Sequence, residues 1–272
     1  MARKVPTWVL GCGVGCGATI VLGLVLLVVG GFYLTEGLKD SVQAGESLEE
    51  RFGAEGSFTP SPDGSIPADR IDVFLEVRDA LAPSRESLTR SFAGLPASEE
   101  ELKRIDQLPL MERLKTTMVF GKAAFGLTSS AGEFFSVRNR VLLEKGMGMG
   151  EYDYIYVLAY YSWLGKDPSD GPPLGRTEKT TSRLHEATLQ MLRNALATLP
   201  AEDTEWRRSV AAEIAAMESE PGRLPWRDGV PASTAASLAP YREHLVSAYS
   251  PATNPFELAR NTKVNRWTYH ID

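Results

Sequence analysis

The chain has 272 residues, of which 24% are charged, with 29 Lys+Arg against 35 Asp+Glu and a net charge of −6. Arg3 and Lys4 precede the first apolar run, so the residues beyond that run carry 27 cations against 35 acids, a net of −8. That balance argues against nucleic acid or an anionic lipid surface as the partner, since both select for a basic patch.

No charged side chain occurs between Lys4 and Glu36, and Trp8–Leu34 is a run of 27 residues with fourteen Val, Leu, Ile or Phe. At 1.5 Å per residue it spans about 40 Å, enough for a hydrocarbon core of about 30 Å. Trp8 at one end and Phe32–Tyr33 at the other suit the interfaces. The expectation is one transmembrane helix. A cleaved signal peptide, cut after Ala44, competes with it, but the apolar run is too long and the cut too far away. A lipidation box at Val9–Cys12 fails because the apolar stretch follows the cysteine. Arg3, Lys4 and the amino terminus before the run place residues 1–7 in the cytoplasm and the rest outside. In a bacterium that is the inner membrane with a periplasmic or exterior domain. Gly11, Gly13, Gly15 and Gly17 form small-xxx-small pairs on which a second membrane helix could pack. Both cysteines, Cys12 and Cys16, lie in this run, which leaves the exterior part without disulfide or thiolate chemistry.

Residues 35–67 read as a juxtamembrane segment and tether. A short helix over 38–52 leads into GAEGSFTPSPDGSIP, the composition of an irregular linker. From Ala68 the spacing of Ile71, Phe74, Leu75 and Leu81 predicts a helix closed by Pro83, followed by a second over 84–95. Ser98 with Glu101 forms a capping box. A long helical stretch runs from Pro109 to Lys145, with Gly121, Gly126 and Gly132 as places where it could break or meet another helix. After a Gly-rich turn, Tyr152, Tyr156, Tyr160 and Trp163 share one face of a helix over 151–164 that is apolar nearly all round. Loop 166–175 separates it from helices over 177–199, 201–220 and 232–249, and a tail over 250–272 ends the chain. The whole reads as all-α: a transmembrane helix, then an irregular soluble helical bundle over 68–249.

Patterns with a known chemistry are missing. Neither His185 nor His244 has a second ligand at zinc-protease or di-iron spacing, and no phosphate loop or nucleophile elbow occurs. No metal or cofactor is expected. Glu151, Asp153 and His185 are weak catalytic candidates; the two acids fit equally well as first-turn residues meeting the helix dipole. Tyr152, Tyr156 and Tyr160 could line a ligand site, or form a core with hydroxyls at its rim.

Phe58-Thr59-Pro60, Asp63–Ile66, Arg70, Phe74–Arg78, Lys145–Met147, Glu151-Tyr152 and Asn254–Leu258 resemble patches in a loose group of bacterial membrane-anchored or lipidated helical envelope proteins. The resemblance implies an envelope setting and brings no activity or catalytic residue with it. The expected function is that of a membrane-tethered envelope protein working through protein–protein contact, with Phe256, Trp267 and Tyr269 of the tail as contact residues. A module holding a small apolar or envelope ligand between helices is the alternative, and an unrecognised hydrolase a third.

Overall fold

The structure, a computed structural model, describes residues 41–92, 110–171, 177–201 and 204–259. The expectations for Trp8–Leu34 and its glycines, the Ser98–Glu101 box, Trp267 and Tyr269 fall outside these residues. Among the described residues there is no strand, and no helix is long and apolar enough to cross a membrane.

The chain is helical over 41–52 (α1), then through α2 (Ala68–Ala80), α3 (Ala82–Phe92) and α4 (Leu110–Lys145). Beyond them come α5 (Met149–Tyr156), α6 (Thr177–Thr198), α7 (Glu205–Ser219), α8 (Ala232–Leu238), α9 (Arg242–Ala248) and the single turn α10 (Asn254–Glu257). Helix α2 keeps closely to the sequence pattern: Ile71, Phe74, Leu75 and Leu81 are all buried. Thr204 caps α7, its hydroxyl accepting from the Arg207 amide at 3.1 Å, a role for which a short β-hydroxyl side chain is suited. α3 packs along α4, where Ser87 and Ser91 both meet Ser130 at 3.1 and 3.0 Å.

Four departures have physical reasons. α4 is one unbroken helix. A side chain at Gly132 would meet nothing, and one at Gly126 only ordinary contact, so these glycines mark neither breaks nor close crossings. The helix over 151–164 changes pitch, α5 passing into a π-helical turn over Val157–Trp163. The helix over 232–249 divides at Pro240, which lacks an amide donor and sits in a 3-10 turn, Ala239–Tyr241.

The fourth departure is segment 53–67, which is irregular as expected but packed onto the bundle rather than loose. Glu55, Pro60, Gly64 and Ile66 are buried. The Gly56 carbonyl accepts from Asn194 at 2.8 Å, the Gly64 carbonyl from Thr234 at 2.7 Å, and the Ile66 amide donates to Ser237 at 3.1 Å. Gly64, at φ +73°, leaves room for the Trp206 ring, and Gly150 lets α5 approach the Glu55 carbonyl; a methyl at either position would collide.

Candidate functional site

Helix α5 and its π turn run through the middle of the core. Tyr152, Tyr156 and Tyr160 are fully buried, as the spacing of four on an apolar helix requires. Their rings pack in series, Tyr152 on Tyr156 at 6.2 Å and Tyr156 on Tyr160 at 4.6 Å between centroids. Phe74 lies 5.2 Å from Tyr152, and Tyr249 lies 5.0 Å from Tyr160. The space that a ligand between helices would need is filled by these rings and by Arg78. The π turn also brings Tyr161 round, so that Tyr156 and Tyr161 both donate to Asn254 Oδ1, at 2.9 and 2.8 Å.

Against the rings sits a buried charge cluster. Arg78, with no exposed surface, pairs with Glu257 at 2.6 Å and donates to the Ala248 carbonyl at 2.5 Å. The Tyr152 hydroxyl accepts from Arg78 at 3.2 Å and donates to Glu257 at 3.0 Å. The Arg78 guanidinium lies 5.2 Å from the Tyr156 ring centroid and 5.4 Å from that of Tyr160, placements that favour a cation. Burial opposes the charge on Arg78, but Glu257 and the three tyrosines outweigh it and hold its pKa well above the ordinary arginine value. Arg85 stands 3.9 Å from the same carboxylate, and burial, with the Arg78 charge second, lowers its pKa.

Two more arginines hold the end of the described chain. Arg138 Nη1 donates to the carbonyls of Phe256, Glu257 and Ala259 at 3.2, 2.7 and 3.0 Å. These are the free carbonyls found at a helix end, and a guanidinium satisfies several at once. Arg183 donates to the Leu258 carbonyl, to Glu55 at 2.5 Å and to Asp153 at 3.5 Å. Burial first, and then the neighbouring Glu55 carboxylate with which it shares a hydrogen bond, raise the Asp153 pKa well above the ordinary value.

The weak catalytic candidates have separate partners. Glu151 is gripped by Arg70 through two bonds of 2.6 Å. Asp153 lies in the Arg183 cluster, fully buried, and not as the first-turn dipole partner that its position suggested. His185 Nδ1 meets the Arg223 carbonyl at 2.7 Å. No shared reacting geometry brings the three together. Phe256 is half-buried, its ring 5.5 Å from Phe92 and 6.1 Å from Phe135. Among the described residues, no group of three or more His, Cys, Asp or Glu could hold a metal ion.

An open groove of about 830 Å³ lies between the π turn with its adjoining loop and the 220–227 loop. Its walls include Tyr161, Ser162, Lys166, Ser182, Arg223 and Arg227. Lys166 lies 5.2 Å over the Tyr249 ring, and Ser162 donates to the Pro225 carbonyl at 2.6 Å. Arg223 is tied to Glu213 and Asp228, and Arg227 to both Glu220 oxygens. Trp226, the one described non-glycine residue with positive φ (57°), turns this loop.

The chain matches no family model, no curated protein and no solved structure.

Proposed function

We propose that this chain is a bacterial inner-membrane protein, anchored N-in by Trp8–Leu34, whose exterior helical domain works through protein–protein contact. The observation that carries the contact half of this reading is the groove walled by Tyr161, Lys166 and Arg227. It is lined by polar groups of both charges, Lys166, Arg223 and Arg227 with Asp167 and Glu220, as well as apolar ones, which suits a polar segment of another protein. The surface elsewhere gives little apolar purchase: Val246 is the one large hydrophobic residue exposed among those described. Tyr152, Tyr154 and Tyr156 of α5 are spent on the core.

A photo-crosslinking residue in place of Arg227, in the full chain in its native membrane, tests this. The reading expects a discrete protein adduct from that position and none from the same residue in place of exposed Glu144 at the end of α4. Absence of the adduct, or equal adducts from both positions, would overturn it.

A further inference from the structure

Arg78 and Arg85 stand seven residues apart, on α2 and α3. The Leu81 amide donates to the Val77 carbonyl at 3.1 Å and the Arg85 amide to the Leu81 carbonyl at 2.9 Å. Helical bonding therefore runs through the junction, and the two arginines share one face, two turns apart. Both guanidinium groups turn to Glu257 Oε1, Arg78 at 2.6 Å and Arg85 at 3.9 Å, the second too far for a hydrogen bond. One carboxylate thus faces two cations, and a positive charge is left over inside the core. Arg138, also fully buried, is bonded to carbonyls and to Asn139 and brings no carboxylate with it.

The same place is rich in donors and short of acceptors. Arg78 Nε, Arg85 Nη1 and the Tyr160 hydroxyl are buried without a hydrogen-bond partner. The Tyr160 ring lies 5.4 Å from the Arg78 guanidinium. Burial raises the Tyr160 pKa and the charges of Arg78 and Arg85 act against it, which puts the hydroxyl in the field of both cations. Glu257 has little left to offer them. Its Oε1 takes Arg78 and the Thr253 hydroxyl at 3.3 Å, and its Oε2 the Tyr152 hydroxyl at 3.0 Å. A buried donor without an acceptor is costly enough that each one calls for a partner. Water would meet these three only by bringing two O–H donors of its own. An anion accepts from every side and also offsets the surplus charge. Arg85 keeps 10% of its side-chain surface exposed, which leaves a small ion a way in.

We propose that the core binds one small monovalent anion of the halide class, held by Arg85 Nη1 and the Tyr160 hydroxyl with Arg78 Nε beside them. The ion balances the surplus cation and leaves the Arg78–Glu257 pair as it is. The stability of the domain then depends on the halide around it.

The test uses the full chain in detergent micelles, denatured with urea in sodium chloride or in sodium gluconate at equal ionic strength. Gluconate screens surface charge as chloride does, but it is too bulky for a closed site. An ion bound by the folded chain alone raises the folded-to-unfolded ratio about tenfold for each tenfold rise in its concentration above the dissociation constant. That gain is expected with chloride and not with gluconate. Tyr160→Phe, which loses one hydroxyl, is expected to need several-fold more chloride for the same gain. Arg85→Met removes a ligand and the surplus charge together. It is expected to respond equally to both salts, and in gluconate to be no less stable than the native chain. A native chain equally stable in the two salts would overturn the proposal and leave the donors to water. A chloride gain unchanged in Tyr160→Phe would put the ion elsewhere and overturn the site, whether or not Arg85→Met folds. An Arg85→Met chain weakened in gluconate would show that Arg85 is needed as a partner of Glu257, and would overturn the surplus charge.

Discussion

Around Glu257 two arginines share one carboxylate, whereas around Arg183 two carboxylates share one guanidinium. Both clusters are closed over by the same short segment, since Glu257 belongs to it and the Leu258 carbonyl accepts from Arg183. Their response to pH differs. In the first cluster the surplus charge belongs to arginines, which stay protonated over the range proteins meet. In the second, burial and the neighbouring Glu55 carboxylate favour the protonated form of Asp153 and raise its pKa well above the ordinary value. An excess of buried positive charge is spread over tyrosine rings and carbonyls, while an excess of negative charge raises a carboxyl's affinity for a proton.

The largest effect belongs to the first cluster. Glu257→Gln preserves shape but leaves Arg78 and Arg85 without a counter-charge, and removing one member of a buried pair costs about 3–5 kcal/mol. Urea denaturation at neutral pH is expected to show that loss. A loss below about 1 kcal/mol would mean that water reaches the arginines and the cluster is not closed.

A smaller, pH-dependent effect belongs to the second. The folded Asp153 pKa lies above the unfolded value of about 3.9. Between the two, the native state holds a proton that the unfolded chain has released, so this group's contribution to stability falls as pH rises through that window. Asp153→Asn, which keeps a donor toward Glu55, is expected to remove that fall. Denaturation midpoints of both proteins from about pH 4 to pH 8 give the comparison. Parallel curves would show that Asp153 is ionised in the native state.

Much of the helical framework could be read from periodicity, but neither cluster was. The signal for the first was present in α2 and α3, where Ile71, Phe74, Arg78, Leu81, Arg85 and Leu88 succeed each other at spacings of three and four. Arginines occupying apolar positions of such a stripe announce buried counter-charges. What the stripe cannot supply is the partner, because Glu257 lies far along the chain in a segment of four helical residues with no periodicity to read. The Gly- and Pro-rich composition of 53–67 correctly marked irregular backbone. Whether such backbone packs depends on side chains that reach its carbonyls from Asn194 and Thr234, and composition carries no trace of those. The tyrosine stripe had two readings in the sequence. The structure fills the space between the rings with Phe74, Tyr249 and Arg78, which makes the stripe core. The π turn that joins Tyr161 to Asn254 has no local sequence signature at all.

The proposed function depends on the proposal that Trp8–Leu34 spans a membrane. Alkaline carbonate extraction of membranes from cells making the full chain tests it most directly. The account predicts that the chain stays in the membrane pellet at full length; release into the supernatant, whole or shortened near Ala44, would contradict it.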